Sequence, residues 1–329
     1  MFFRKFVNVD STTCWLNSCL QLILTALDNY DFCDDFTSEL GLELLRLKSD
    51  DGKHFLNANG VRNILVTADD TRIATRMSEL NNEVADQDQL NRRMRNIEDL
   101  RLNLSSGQQQ CVRDFFLCLN ENLINWPDVY SSLSFDITHT TTCLSCNFVN
   151  RSQNSHTFVE LDVPEENSQL NIPLEYFFNA STLVESSCEF CKTKVQKEVK
   201  NEITRIEDAR FITVLLRRGI ETEEGFQLNI KKIISTEDMF IRYKNFKNIK
   251  LNCSFFRDVQ GNQHFYEAIA VIEYHGQISK SGSSAGHYTC DIKHYQSKNW
   301  YRTNDSKNPI RIKDSDVSCY GYVVLFHRA

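Results

Sequence analysis

The sequence predicts an α+β fold, with a helical lobe followed by an antiparallel β lobe. Three observations carry this. The first third repeats apolar residues at helical spacing. From about Asp136 the chain breaks into short runs, several of which alternate apolar and polar. Two Cys-x-x-Cys pairs stand among those runs. With 329 residues, 41% hydrophobic and 25% charged, the chain is long enough for a sizeable core and has ordinary globular composition. No apolar run reaches membrane-spanning length, and the opening MFFRKFV is too short for a signal peptide and has no cleavage pattern behind it. The chain therefore reads as soluble and intracellular, in cytoplasm, nucleus or both, with no membrane partner. A formal net charge of −7 without a basic stripe argues against a nucleic-acid partner.

In the helical lobe, Trp15, Leu16, Cys19, Leu20, Ile23, Leu24 and Leu27 form a broad stripe behind Cys14. Leu40, Leu44, Leu45 and Leu47 mark a second helix. Between Thr71 and Leu100, Met77, Leu80, Val84, Met94, Ile97 and Leu100 recur at helical spacing amid dense charge, as in a solvated amphipathic helix or two. Cys111 to Leu123 is a further striped helix. The β-type runs are FVELDV (158–163), RFITVLLRR (210–218), FQLNIKKII (226–234), HFYEAIAVIEYHG (264–276), GHYTCDIKHY (286–295) and CYGYVVLFHR (319–328). Glycine and serine cluster from Gly276 to Gly286, which reads as a mobile loop.

Twelve cysteines in a chain without an export signal point to reduced thiols rather than a secreted disulfide framework. Cys143, Cys146, Cys188 and Cys191 form the two Cys-x-x-Cys pairs. Two thiolates separated by two residues fit a tight turn that aims both sulfurs at one ion, and two such turns complete a tetrahedral Zn²⁺ site. A thioredoxin-like redox role is the rival reading. Four protein ligands leave no open position, so this zinc is expected to be structural.

Cys14 stands at a helix start, where the dipole and unpaired N–H groups favour thiolate and can hold an oxyanion. A buried, inert cysteine is the competing reading of that stretch alone. A histidine partner changes the balance. His287 opens a strand after the glycine-serine loop, and Asn304 and Asp305 follow on the expected neighbouring strand. An oxygen on one imidazole nitrogen would leave the other for the thiol, so Cys14, His287 and Asn304 can serve as nucleophile, base and orienting group. The remaining histidines have no comparable context and read as surface or packing residues.

These motifs, in this order, resemble the catalytic domain of the ubiquitin-specific proteases, papain-like cysteine proteases that remove ubiquitin. Thr13-Cys14-Trp15-Leu16-Asn17-Ser18 with Gln21 is similar to the cysteine box, with tryptophan in place of the usual tyrosine. Gln109-Gln110 with Asp114-Phe115-Phe116 resembles the glutamine box, and the paired Cys-x-x-Cys motifs resemble the zinc-binding fingers. Arg210 to Arg218, Tyr266 to Gly276, Gly286-His287-Tyr288, Trp300, Asn304-Asp305-Ser306 and Tyr322 to Phe326 follow the family's later strands and histidine box.

The resemblance implies a single catalytic domain over 1–329, built as thumb, fingers and palm. A helical thumb would occupy about 1–130, zinc-ribbon fingers with palm strands about 131–210, and an antiparallel palm about 211–329. It implies attack by Cys14 on the carbonyl of the last glycine of ubiquitin and proton transfer by His287, oriented by Asn304 with Asp305 in support. Gln109, Asp114, Gly286 and Tyr288 would then meet the substrate. Three departures bear on this. Val9 stands where an oxyanion-donating asparagine is usual, leaving Asn8 and backbone N–H groups for that role. Ser11 replaces a glycine, and Cys111 an aspartate of the glutamine box. A protease for another ubiquitin-like modifier, of the SUMO or interferon-induced type, and a catalytically inactive ubiquitin-binding scaffold remain the alternatives.

Overall fold

The computed structural model describes residues 3–9, 12–32, 36–66, 112–123, 126–162, 181–217, 219–222, 225–228, 251–257, 263–278, 284–313 and 321–328. The helices expected between Thr71 and Leu100, and also Asp10, Ser11, Gln109, Gln110 and Cys111, lie outside these residues. In chain order the described helices are α1 (Cys14–Asn29), α2 (Glu39–Lys48), α3 (Asn59–Val66), α4 (Val112–Leu123) and α5 (Pro127–Leu133). The described strands begin with β1 (Lys5–Phe6), β2 (Phe55–Leu56), β3 (Phe135–Cys143), β4 (Val149–His156), β5 (Phe158–Asp162), β6 (Thr182–Ser187), β7 (Lys194–Arg205) and β8 (Phe211–Arg217). They continue with β9 (Gly219–Thr222), β10 (Gly225–Leu228), β11 (Leu251–Arg257), β12 (Gln263–Ile278), β13 (Ser284–Lys293), β14 (Trp300–Thr303), β15 (Ile310–Ile312) and β16 (Gly321–Arg328). The chain divides into two compact units. One comprises Met1–Val129, His287–Ser297 and Tyr301–Arg311, and the other Tyr130–Gly286, Lys298–Trp300 and Ile312–Ala329.

The first unit is organised on α1. Every residue from Cys14 to Leu27 is buried and only Asp28 and Asn29 at the end are not, so this helix is surrounded on all sides. Its polar residues Asn17, Gln21, Thr25 and Asp28 follow each other at spacings of four, four and three, which places them along one face. That face fastens the chain around β1. Gln21 Nε2 donates to the Arg4 carbonyl at 2.6 Å, and Arg4 donates through two nitrogens to Asp28 at 2.8 and 3.0 Å. Arg4 also donates to the carbonyls of Leu47 and Lys48 at the end of α2. Its guanidinium is thereby paired and makes four hydrogen bonds, as a charge at 2% exposure requires. In the same unit β13, β14 and β15 lie side by side in the order β15-β14-β13.

Besides the β9-β10 hairpin, the described residues of the second unit form two larger sheet assemblies of opposite character. One runs β12-β16-β8-β5, with β11 also paired to β12. Phe211, Ile212, Val214 and Leu215 of β8 are all fully buried, so successive residues pointing to opposite faces are both covered. Each such side chain contributes about 1.5–3 kcal/mol. The pairing of β5 with β8 is parallel, unlike the antiparallel pairing expected throughout. The β12 and β13 strands also run to Ile278 and from Ser284, so strand occupies most of the stretch read as a Gly276–Gly286 loop; residues 279–283 lie outside those described.

The other assembly is the four-stranded antiparallel sheet β4-β3-β7-β6. Its strands are largely polar and exposed, and β4 has no buried residue. Without an apolar alternation they gave no strand signal in the sequence. At one end Arg205 grips Asp136 with two nitrogens at 2.8 and 3.1 Å, while Ser155 and Gln153 donate to the same carboxylate. The Arg205 hydrogen bonds first, then the one from Ser155, the Arg205 charge and the one from Gln153, hold the Asp136 carboxyl below its usual range, against the effect of burial.

Candidate active site and metal centre

The geometry around Cys14 begins with Thr13. Its N–H donates to Asn8 Oδ1 at 2.9 Å, and its Oγ1 accepts from the Val9 N–H at 3.0 Å. Thr13 therefore faces upstream and gives the first turn of α1 no side-chain cap. The N–H groups of Cys14 and Trp15 remain available to the Cys14 sulfur, joined by the backbone N–H of Tyr288. The N–H groups at the helix start pull the thiol pKa down, as expected, but the net shift is upward. Cys14 is 1% exposed, and burial pushes its thiol up; the nearby Asp305 charge adds to this, and the three N–H groups pull the other way without prevailing.

His287 lies in β13 with its side chain 35% exposed. Its Nε2 meets Asn304 Oδ1 at 2.9 Å, while Asp305 Oδ2 is 3.7 Å from the same nitrogen. An amide oxygen only accepts, so Nε2 carries the proton and Nδ1 is left as the basic nitrogen. The segment carrying Asn304 is pinned on both sides. Arg302 forks onto the buried Asp291 at 2.8 and 2.9 Å, and Thr303 Oγ1 donates to the Cys290 carbonyl at 2.7 Å. Beyond Asn304 the chain turns, with Lys307 N–H donating to the Asn304 carbonyl at 3.0 Å and Asp305 at φ +47°. Asp and Asn tolerate that left-handed conformation better than most residues.

The other sequence candidates fall as follows. Asn8 is engaged at both ends: Oδ1 accepts from Thr13, and Nδ2 donates to Asp305 Oδ2 at 3.0 Å. This ties one amide N–H of Asn8 to the Asp305 carboxylate. Tyr288 has a buried ring and meets Cys14 through its N–H. A Cβ on Gly286 would run into the Tyr274 hydroxyl and ring, so this close approach explains the glycine. Asp114 lies on α4, but its side chain, like Gln109, is outside the described residues. Asn17, by contrast, entered the sequence reading only as a motif letter. Its Nδ2 donates to Asp305 Oδ1 at 2.7 Å and to the Val7 carbonyl at 3.3 Å. The signal available was a buried-helix polar stripe, Asn17, Gln21 and Thr25, that begins one turn after Cys14.

The four paired cysteines also meet. Cys143 ends β3 and Cys188 follows β6, and each begins a turn of the same form. Asn147 N–H donates to the Cys143 carbonyl and Lys192 N–H to the Cys188 carbonyl, both at 2.9 Å. Asn147 and Lys192 both have φ +57°. Because β3 pairs antiparallel with β7, with Cys143 opposite Lys197, both turns sit at one end of the sheet. The four sulfurs lie within 4.8 Å of one another, with Cys146 and Cys188 at 3.7 Å. Four soft thiol donors converging in this way are positioned to bind a metal ion.

A family model described as ubiquitin carboxyl-terminal hydrolase matches residues 5–326. The chain belongs to that family. Ubiquitin carboxyl-terminal hydrolases of this type are thiol hydrolases, and the papain-like fold and family expected from the motifs are borne out. Among solved structures the chain is similar to that of the SAGA Ubp8/Sgf11/Sus1/Sgf73 DUB module bound to ubiquitin aldehyde, with TM-score 0.57, 12% identity, and coverage of 99% of this chain and 70% of that one. It is likewise similar to the same module bound to monoubiquitin, with TM-score 0.57, 14% identity, and coverage of 99% and 69%. At those identities the likeness is one of fold. No curated protein sequence matches the chain. No helix among the described residues is long and apolar enough to cross a membrane.

Proposed function

We propose that this ubiquitin carboxyl-terminal hydrolase cleaves the peptide or isopeptide bond after the C-terminal glycine of ubiquitin through a Cys14–His287–Asn304 triad. The observation that carries the reading is the 2.9 Å contact of His287 Nε2 with Asn304 Oδ1, beside a Cys14 whose sulfur meets the N–H of Tyr288. Because burial holds the Cys14 proton on, the thiol becomes nucleophilic by passing that proton to His287 Nδ1. The sulfur attacks the glycine carbonyl, and the oxyanion is met by backbone N–H groups at the start of α1. His287 returns the proton to the departing amine as the C–N bond breaks, leaving a thioester. Water, deprotonated by His287, then attacks the thioester and releases ubiquitin and the Cys14 thiol.

The metal is zinc, held by Cys143, Cys146, Cys188 and Cys191. Zn–S bonds of about 2.3 Å in a tetrahedron place sulfurs about 3.8 Å apart, in keeping with the 3.7 Å between Cys146 and Cys188. All four positions would be filled by protein, so the ion braces the two turns and takes no part in the reaction. Action on another ubiquitin-like modifier is the second reading, favoured by Cys111 in the glutamine box.

The test is hydrolysis of fluorogenic C-terminal amides of ubiquitin, SUMO and an interferon-induced modifier by zinc-loaded protein. Ubiquitin is expected to be cleaved fastest, with activity lost in Cys14→Ala. A clear preference for another modifier overturns the substrate, and hydrolysis that persists in Cys14→Ala overturns the mechanism.

A further inference from the structure

Asp305 is held by more than its own turn. Its Oδ1 accepts from Asn17 Nδ2 at 2.7 Å and its Oδ2 from Asn8 Nδ2 at 3.0 Å, so each carboxylate oxygen has one amide. These amides come from the two segments that flank Cys14, one from the approach to α1 and one from its first turns. Its backbone carbonyl also accepts from Phe6 N–H at 3.1 Å. The result is a carboxylate whose Oδ2 stands 3.7 Å from His287 Nε2, with little freedom to move.

Asn17 shows what this arrangement demands. It is 2% exposed, and its Nδ2 serves both Asp305 and the Val7 carbonyl, while its own Oδ1 is buried with no hydrogen-bond partner. An orphaned buried acceptor is unfavourable. The position needs two N–H donors on one atom, aimed at two acceptors that no helix backbone group reaches. A hydroxyl supplies one proton and a carboxylate none; a primary amide supplies both, with an unused oxygen left over. The Nε2 position of His287 is where Asn304 already accepts at 2.9 Å, so the Asp305 carboxylate at 3.7 Å stands beside the ring and not as its hydrogen-bond partner.

We propose that Asn17 is a positioning residue for the hydrolysis: with Asn8 it clamps the Asp305 carboxylate beside His287, so that the nucleophile's own helix fixes the place of the carboxylate next to the base. This rests on the triad reading given above. Asn17 touches neither substrate nor the reacting atoms; it acts through Asp305.

The experiment is a double-mutant cycle between Asn17→Ala and Asp305→Asn in the zinc-loaded protein. It is read by kcat and KM on the ubiquitin amide, by the rate of Cys14 alkylation with iodoacetamide at pH 7, and by thermal melting. Asn17→Ala is expected to lower kcat about tenfold and slow alkylation, with KM within about twofold. In the Asp305→Asn background the same change is expected to cost less than about twofold. Asn17→Asp, which keeps the shape but sets two carboxylates against each other, is expected to lose more than Asn17→Ala. If Asn17→Ala does not fold, Asn17→Ser and Asn17→Asp take its place in the cycle.

Full additivity of the two changes, or unchanged kcat and alkylation in every folded Asn17 variant, overturns the clamp while leaving a Cys14-dependent enzyme intact. A wild type that does not hydrolyse the amide, yet loses alkylation rate in Asn17→Ala but not in the Asp305→Asn background, sinks the substrate reading and sustains the clamp. A wild type with an unreactive Cys14 overturns both.

Discussion

The Cys14 corner and the four-cysteine ribbon use the same side chain for opposite ends. In the ribbon, four sulfurs converge through two copies of one local turn, each fixed by a carbonyl contact and a left-handed residue. At Cys14 a single buried sulfur depends on residues far away in sequence: Asn8 and Asn17 bond to Asp305 across 297 and 288 positions. The ribbon is a short-range device that needs an ion to complete it. The corner is a long-range device completed by hydrogen bonds alone. One brings four thiols together where a metal ion can join them, and the other buries a single thiol close to a histidine that is hydrogen-bonded to an asparagine.

The largest expected effect lies in the ribbon. Structural zinc sites supply apparent binding free energies of about 10–16 kcal/mol, and the polar β4-β3-β7-β6 sheet has few buried apolar residues to replace them. Cys188→Ser is therefore expected to drop zinc well below one equivalent by elemental analysis and to abolish hydrogen-exchange protection in β3, β4, β6 and β7. Retained protection in α1 would sharpen the contrast between the regions, whereas retained protection in the ribbon would break it.

Next comes the base. Asn304→Ala removes the acceptor on His287 Nε2 and is expected to lower kcat about 10²-fold, with KM and melting temperature little changed. Kinetics equal to wild type would remove Asn304 from the site. A related outcome concerns pH. With burial raising the Cys14 thiol, His287→Ala leaves it without a proton acceptor. Its alkylation by iodoacetamide is then expected to be slow at pH 7 and to rise only at alkaline pH, above the ordinary thiol range. Fast alkylation at pH 7 in that variant would show that the helix start, not the histidine, activates the sulfur.

The smallest effect is expected at the base of the ribbon sheet. Asp136→Asn is expected to cost about 1–2 kcal/mol at pH 7, since Arg205 is partly exposed. The Asp136 pKa is depressed in the fold, so its contribution is present above the ordinary carboxylate value of about 4 and lost as pH falls through the folded value. Urea unfolding at pH 7 and pH 3 should therefore show a gap between wild type and variant that closes in acid. A gap that stays constant would assign the loss to packing.

The same contrast explains what could be read from the sequence. Cys143, Cys146, Cys188 and Cys191 were legible because their geometry is set by turns a few residues long. The apolar runs of β8, β12 and β16 were legible because burial writes itself as hydrophobicity. β4, β6 and β7 were not, because exposed polar strands carry no periodic signal, and the parallel β5–β8 pair was not, because pairing direction is a property of the whole topology. At Cys14 the residues were visible but their partnerships were not. The tie between Asn8 and Asp305 spans 297 positions, and the balance of burial against N–H groups at the Cys14 thiol is set by packing that no local window reveals.

The most direct test of the central claim is peptide mapping of the adduct formed with a ubiquitin probe carrying a thiol-reactive C-terminus. A single ubiquitin adduct on Cys14, formed much more slowly in His287→Ala, is the expected result. An adduct confined to the ribbon cysteines, or none on folded zinc-loaded protein, would contradict it.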